Sequence, residues 1–100
     1  MAAKVVIPIV GKRGQKYDIV TLLVWEAKEG DWVKKDQVVL AIETEKASCD
    51  IEAEASGLLR ILVDAGGKAM VGAVVGLIAE SKEELKTLQQ VLPERLAQQS

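Results

Sequence analysis

The sequence predicts an all-β protein, a flattened barrel or sandwich of two small antiparallel sheets with pseudo-two-fold symmetry, followed by a C-terminal helical tail. Three observations predict it. From Lys4 to Glu80, short β-branched apolar runs are separated by glycine-containing turns. Cys49, Ile51 and Ala53 alternate with Asp50, Glu52 and Glu54, the period of a strand with one dry and one wet face. The chain also repeats when shifted by 36 positions: Gly30 falls on Gly66, Val33 on Ala69, Asp36 on Gly72, Val39 on Val75 and Ile42 on Ile78. Each half then reads as strand, glycine turn, short apolar segment, second turn and strand.

The elements follow in order. Val5 to Val10 reads as a strand, with Pro8 placing it at an edge or a strand end. Gly11 to Lys16 is a polar loop, and Asp18 to Ala27 a longer strand ending in the turn Lys28-Glu29-Gly30-Asp31. Val38–Glu43 and Ala47–Ala53 form a hairpin, with the polar break Thr44–Ala47 at its tip. Ser56-Gly57 is read as a turn, Leu58–Val63 as a strand, Ala65–Lys68 as a turn and Val74–Ala79 as the last strand. The barrel thus occupies residues 1–80 and the tail residues 81–100. In the tail, Ser81-Lys82-Glu83-Glu84 has the form of a capping box. Leu85, Leu88, Leu92 and Leu96 recur at helical spacing, and Pro93 is expected to kink or restart that helix.

Composition narrows the chemistry. One hundred residues, 49% apolar, suffice for one core but not two. With Trp25, Trp32 and Tyr17 as the only rings, the core must be aliphatic, and the tryptophans are read as packing groups. Thirteen basic against fifteen acidic residues give a net charge of −2, which argues against a nucleic-acid or anionic-membrane partner. There is no His to act as a general base or metal ligand. The single Cys49 builds no thiolate zinc site, and its place on the apolar face assigns it to packing. No apolar run approaches the roughly 20 residues of a membrane span. The N-terminus lacks the apolar stretch of a signal peptide, so the expected location is the cytoplasm, or an organelle matrix where a targeting segment has been removed. Nothing proposes a reaction centre, and the chain is expected to be no enzyme on its own.

The hairpin tip carries the functional expectation. Lys46, between Glu45 and Ala47 in Ile42-Glu43-Thr44-Glu45-Lys46-Ala47-Ser48, is expected to project into solvent among the carboxylates of Glu43, Glu45, Asp50, Glu52 and Glu54. This segment resembles the attachment site of the biotinyl/lipoyl-carrier family, and most resembles the lipoyl domains of the acyltransferase (E2) components of 2-oxoacid dehydrogenase complexes. Lys4-Val5-Val6-Ile7-Pro8, the run Glu29 to Gln37, Ser56-Gly57 and Gly66-Gly67 through Gly72 carry the likeness over about Lys4 to Glu80. It differs in having Glu45 where the family more often has Asp, and in a second-half turn, Gly66-Gly67-Lys68-Ala69, without the Asp and Val that would mirror Asp31 and Val33. The tail is also not the Ala/Pro-rich linker usual after such a domain.

The resemblance implies lipoate attached covalently to Lys46, with Glu45 and Ala47 as flanking recognition residues. The domain would be a non-catalytic carrier whose swinging arm shuttles acyl groups and reducing equivalents among the active sites of E1, E2 and E3. The implied partners are a lipoate ligase or lipoyl-transfer enzyme, the E1 2-oxoacid decarboxylase, the E2 catalytic domain and the E3 dihydrolipoamide dehydrogenase. The loop at Lys12 to Lys16, with Glu45 and Asp50, would help in partner choice. A biotinyl carrier is the first alternative; its lysine is typically flanked by methionines, and Met1 and Met70 lie far from Lys46 in sequence. The glycine-cleavage H protein ranks third. From a different class, the chain would be an unmodified adaptor acting through its C-terminal helix.

Overall fold

The computed structural model describes residues 2–8, 19–44 and 48–90. These form eight strands and one helix: β1 (Ala3–Val6), β2 (Ile19–Trp25), β3 (Trp32–Val33), β4 (Val38–Glu43), β5 (Ser48–Glu52), β6 (Gly57–Ile61), β7 (Lys68–Met70), β8 (Val74–Ala79) and α1 (Lys82–Gln89). They build two four-stranded antiparallel sheets, one ordered β1-β8-β6-β3 and the other β5-β4-β2-β7.

The 36-residue repeat is a real dyad. It carries β4 onto β8 end for end, and the strand orders of the two sheets are images of each other. Backbone hydrogen bonds repeat with it. Glu26 N donates to Val39 O at 2.8 Å and Leu62 N to Val75 O at 2.9 Å; Asp36 N donates to Ala53 O and Gly72 N to Ile7 O, both at 2.8 Å. The turns repeat the same left-handed backbone, with φ of +85° at Gly30 and +90° at Gly66, then +72° at Asp36 and +88° at Gly72. The segments read as short and apolar are β3 and β7, and each chain half crosses the barrel to place its short strand at the outer edge of the opposite sheet.

The core between the sheets is aliphatic. Leu22, Val33, Val39, Leu40, Ile42, Leu59 and Val75 are fully buried, and Trp25 packs against this cluster with its Nε1 donating to Val63 O at 2.8 Å. Trp32 departs from its packing assignment: it lies on the edge strand β3 and is 59% exposed. Tyr17 lies outside the described residues.

Several boundaries differ from the sequence expectation: β5 ends at Glu52 and not Ala53, β6 ends at Ile61 and not Val63, and Lys68 opens β7 where a turn was expected. The first strand begins at Ala3, shifts register between Val5 and Val6, and leaves the ladder after Val6; Ile9 and Val10 lie outside the described residues. The second strand stops at Trp25, because Glu26 and Ala27 bend the chain toward the other sheet. Gly57 is not a turn residue. The bend is at Glu54-Ala55, and Gly57 opens β6, buried where a Cβ would collide with the Ala79 carbonyl.

The helix forms where the capping box places it. Ser81 Oγ accepts from Glu84 N at 3.1 Å, although Glu84 Oε1 reaches back to Glu80 N at 2.7 Å instead of to the cap residue's own N–H. Leu85 is buried and Leu88 half-buried, while Leu92, Pro93 and Leu96 lie outside the described residues. Helix α1 covers the outer face of the β1-β8-β6-β3 sheet, where Leu77 and Ala79 are buried apart from the central core. Glu29 fixes it there: its carboxylate accepts from Ile61 N at 2.6 Å and from Gln89 Nε2 at 2.7 Å, and pairs with Arg60 at 3.5 Å.

Candidate functional site

The hairpin from β4 to β5 is closed by the pair Glu43–Ser48, so its tip is the four residues Thr44–Ala47. Glu45, Lys46 and Ala47 lie outside the described residues, and the stem beneath them is described. Behind the closing pair, Ile42 opposes Cys49 and Leu40 opposes Ile51. Ile42 and Leu40 have no exposure and Ile51 7%, so one side of the stem is packed into the core. Cys49, half-buried, packs against the same core, as its alternation predicts. The stem is thereby a fixed base.

The wet side of the stem carries Glu43, Asp50 and Glu52, all exposed, with Glu54 exposed just beyond β5. No described cation pairs with these carboxylates, and the ion pair of Arg60 with Glu29 is on the other sheet. Among the described residues no group of three His, Cys, Asp or Glu side chains is placed to hold a metal.

Register locates the tip in the whole domain. Glu43 pairs with Thr21, and Thr21 also pairs with Lys68, so the hairpin, the start of β2 and the start of β7 share one end. Ala79 pairs with Leu58 at the start of β6, which is the other end. The dyad equivalent of the lysine hairpin is therefore the place where the chain enters β1 and leaves β8 for α1. The closing pair of the hairpin and the start of β1 lie at opposite ends. Met70, distant from Lys46 in sequence, is brought to the tip's end of the sheet by its pairing with Ile19, two strand spacings, about 10 Å, from β4. It is 58% exposed and belongs to a neighbouring strand, not to the flanks of the lysine.

Residues 3–78 match the family model described as biotin-requiring enzyme. The chain belongs to the biotin/lipoyl domain family. This biotin/lipoyl domain is 39% identical over 62 residues to dihydrolipoyllysine-residue acetyltransferase component 5 of the pyruvate dehydrogenase complex of Arabidopsis thaliana, covering 61% of the chain and 13% of that protein. It is 35% identical over 65 residues to the dihydrolipoyllysine-residue succinyltransferase component of the 2-oxoglutarate dehydrogenase complex of Bacillus subtilis, 64% of the chain and 16% of the relative. The corresponding protein of Rickettsia bellii is 32% identical over 83 residues, 82% of the chain and 20% of its own length. The domain thus spans a fifth or less of these relatives. They are E2 components, in agreement with the resemblance carried by the sequence motifs.

The arrangement suits a covalently attached cofactor. Attachment through a lysine amide asks for one projecting amine on a fixed stem, and the packed Ile42–Cys49 rung beneath the tip supplies the stem. Two features were not read from the sequence. Glu29 was taken only as a turn residue, and its hold on α1 depends on three partners from distant parts of the chain. Exposed Ile19, Leu23, Val24 and Met70 gather on the outer face of the sheet that bears the hairpin. The unbroken run Leu22-Leu23-Val24-Trp25, which violates strand alternation, is the signal that marks two of them.

Proposed function

We propose that the domain is a non-catalytic lipoyl carrier, modified on Lys46 and serving a 2-oxoacid dehydrogenase-type complex. The observation that carries the reading is the core-packed hairpin stem closed at Glu43–Ser48, with Lys46 within its four-residue tip, inside a segment that matches the family over residues 3–78. Lipoate, once joined, supplies a disulfide that takes up acyl groups and electrons in one active site and releases them in another. The protein's own part is positional. Lys46 supplies the amine that forms the amide, β4 and β5 form the stem of its hairpin, and the exposed carboxylates of Glu43, Asp50 and Glu52 give the approach a negative field. Glu45 and Ala47 are the flanking residues that a modifying enzyme would read. The partners proposed are that ligase or transferase and the E1, E2 and E3 active sites. The relatives, named as dihydrolipoyllysine-residue acetyl- and succinyltransferases, favour lipoate over biotin.

The deciding experiment is the intact mass after incubation with lipoate, ATP and a lipoate ligase, with Lys46→Ala in parallel. One lipoyl-sized gain in the parent and none in the variant is expected. A gain only with biotin and a biotin ligase would overturn the lipoyl reading in favour of a biotinyl carrier, and no gain with either would leave the adaptor reading.

A further inference from the structure

The dyad shows what the domain leaves uncovered. On the β1-β8-β6-β3 sheet, the outward pair Arg60–Leu77 lies beneath α1, and Leu77 is only 5% exposed. Shifted by 36 positions, that pair becomes Val24–Ala41 on the outer face of the β5-β4-β2-β7 sheet. Here Val24 is 44% exposed. The register shift between Leu22 and Val24 turns Leu23 outward as well, and the cross-strand pair Ile19–Met70 adds apolar surface at the hairpin end, beyond the pair Thr21–Lys68. Four of the six exposed large apolar side chains among the described residues are on this one face.

Charge and topology limit what fits there. Glu43, Asp50 and Glu52 line one margin, exposed and without a described cation partner, so an occupant with basic groups on that side is favoured. Strands β4 and β2 each have a neighbour on both sides, so the centre of the face offers no backbone groups for strand addition. Binding must come from side chains laid across it, and the equivalent place on the other sheet accepts a helix with one buried leucine, Leu85.

We infer that the outer face of the β5-β4-β2-β7 sheet, centred on Leu23, Val24 and Met70, docks an amphipathic helix of a partner protein, apolar on one side and lined with Lys or Arg toward the Glu43–Asp50–Glu52 margin. Such a partner would sit beside the end of the sheet that bears the hairpin. This deepens the carrier reading by giving it a docking surface, but the surface itself is independent of the cofactor.

The test uses the unmodified full chain, isotope-labelled for amide spectra. The probe is a short synthetic amphipathic helix with a leucine stripe and lysines along one flank, and the control is the same peptide with glutamates replacing the lysines. The expected result is saturable shifts centred on Ile19, Leu23, Val24, Ala41 and Met70, about tenfold weaker binding of the acidic peptide, and about tenfold weaker binding by the Leu23→Ser/Met70→Ser variant. Shifts centred on α1 or β1, equal affinity for both peptides, or no saturable shift would overturn the inference. So would a concentration-dependent dimer of the parent that the double variant abolishes, because a second copy would then be the occupant. The titration reads no cofactor, so its failure is distinct from failure of lipoylation, which the mass measurement reads.

Discussion

Gly57 and Gly72 are glycines for different physical reasons, and the difference predicts two kinds of cost. At Gly72 nothing lies within 4 Å of an added Cβ, and only the φ of +88° disfavours a side chain. Gly72→Ala is expected to cost about 1–2 kcal/mol, the penalty of a left-handed L-residue. At Gly57 the obstacle is the Ala79 carbonyl, a backbone atom that moves only with β8. Gly57→Ala is expected to cost about 1–3 kcal/mol and to displace the β6–β8 pairing. Urea titration of both variants gives the costs, and amide shifts at Leu58 and Ala79 would move only in the second. Lys46→Ala, by contrast, is expected to stay within about 0.5 kcal/mol of the parent while losing the mass gain, as a substitution in a short polar turn segment. The sequence marked Gly72 because it aligns with Asp36 in the repeat, whereas Gly57, adjacent to a serine, had the composition of a turn. Only the close approach of β8 reveals its role as a strand residue. The carboxylates Glu43, Asp50 and Glu52 were legible only as alternation, and the sheet decides which face they share.

At the level of elements, α1 is held by a cap, a buried leucine and the Glu29 carboxylate. Ser81→Ala removes the acceptor for Glu84 N and is expected to cost about 1 kcal/mol. Leu85→Ala removes the one buried side chain of the helix and is expected to cost about 2 kcal/mol, the low end for a buried leucine because this residue keeps 9% exposure. Amide exchange should report both, with protection falling in Lys82–Gln89 before it falls in β8. The capping box and the leucine spacing were readable in the chain. That the helix lies over the β6–β8 surface was not, because the helix repeat states which side is apolar and not which surface it meets. The short strands β3 and β7 were equally hidden as strands: two or three residues carry no period, and their assignment rests on partners across the barrel.

Across the whole molecule the dyad makes a strict prediction. Ile42 and Ile78 are 36 positions apart, with exposures of 0% and 1%, in strands that superpose end for end. Ile42→Ala and Ile78→Ala are therefore expected to cost the same, about 2–5 kcal/mol each, in one cooperative transition followed by denaturant. A large difference between them would mean that α1, present over one sheet only, supports its half of the core. The two ends differ as the two faces do: one bears the lysine hairpin, and the other the start of β1 and the exit to α1. The sequence by itself determined the number and order of the main strands, the repeat and the cap of the helix, because each is written in local period, turn chemistry or self-similarity. Tertiary structure alone decided which sheet face the helix covers, why Gly57 must lack a side chain, and where Leu23, Val24, Ile19 and Met70 meet. Those outcomes depend on register between segments far apart in the chain, and local pattern does not encode register across the barrel.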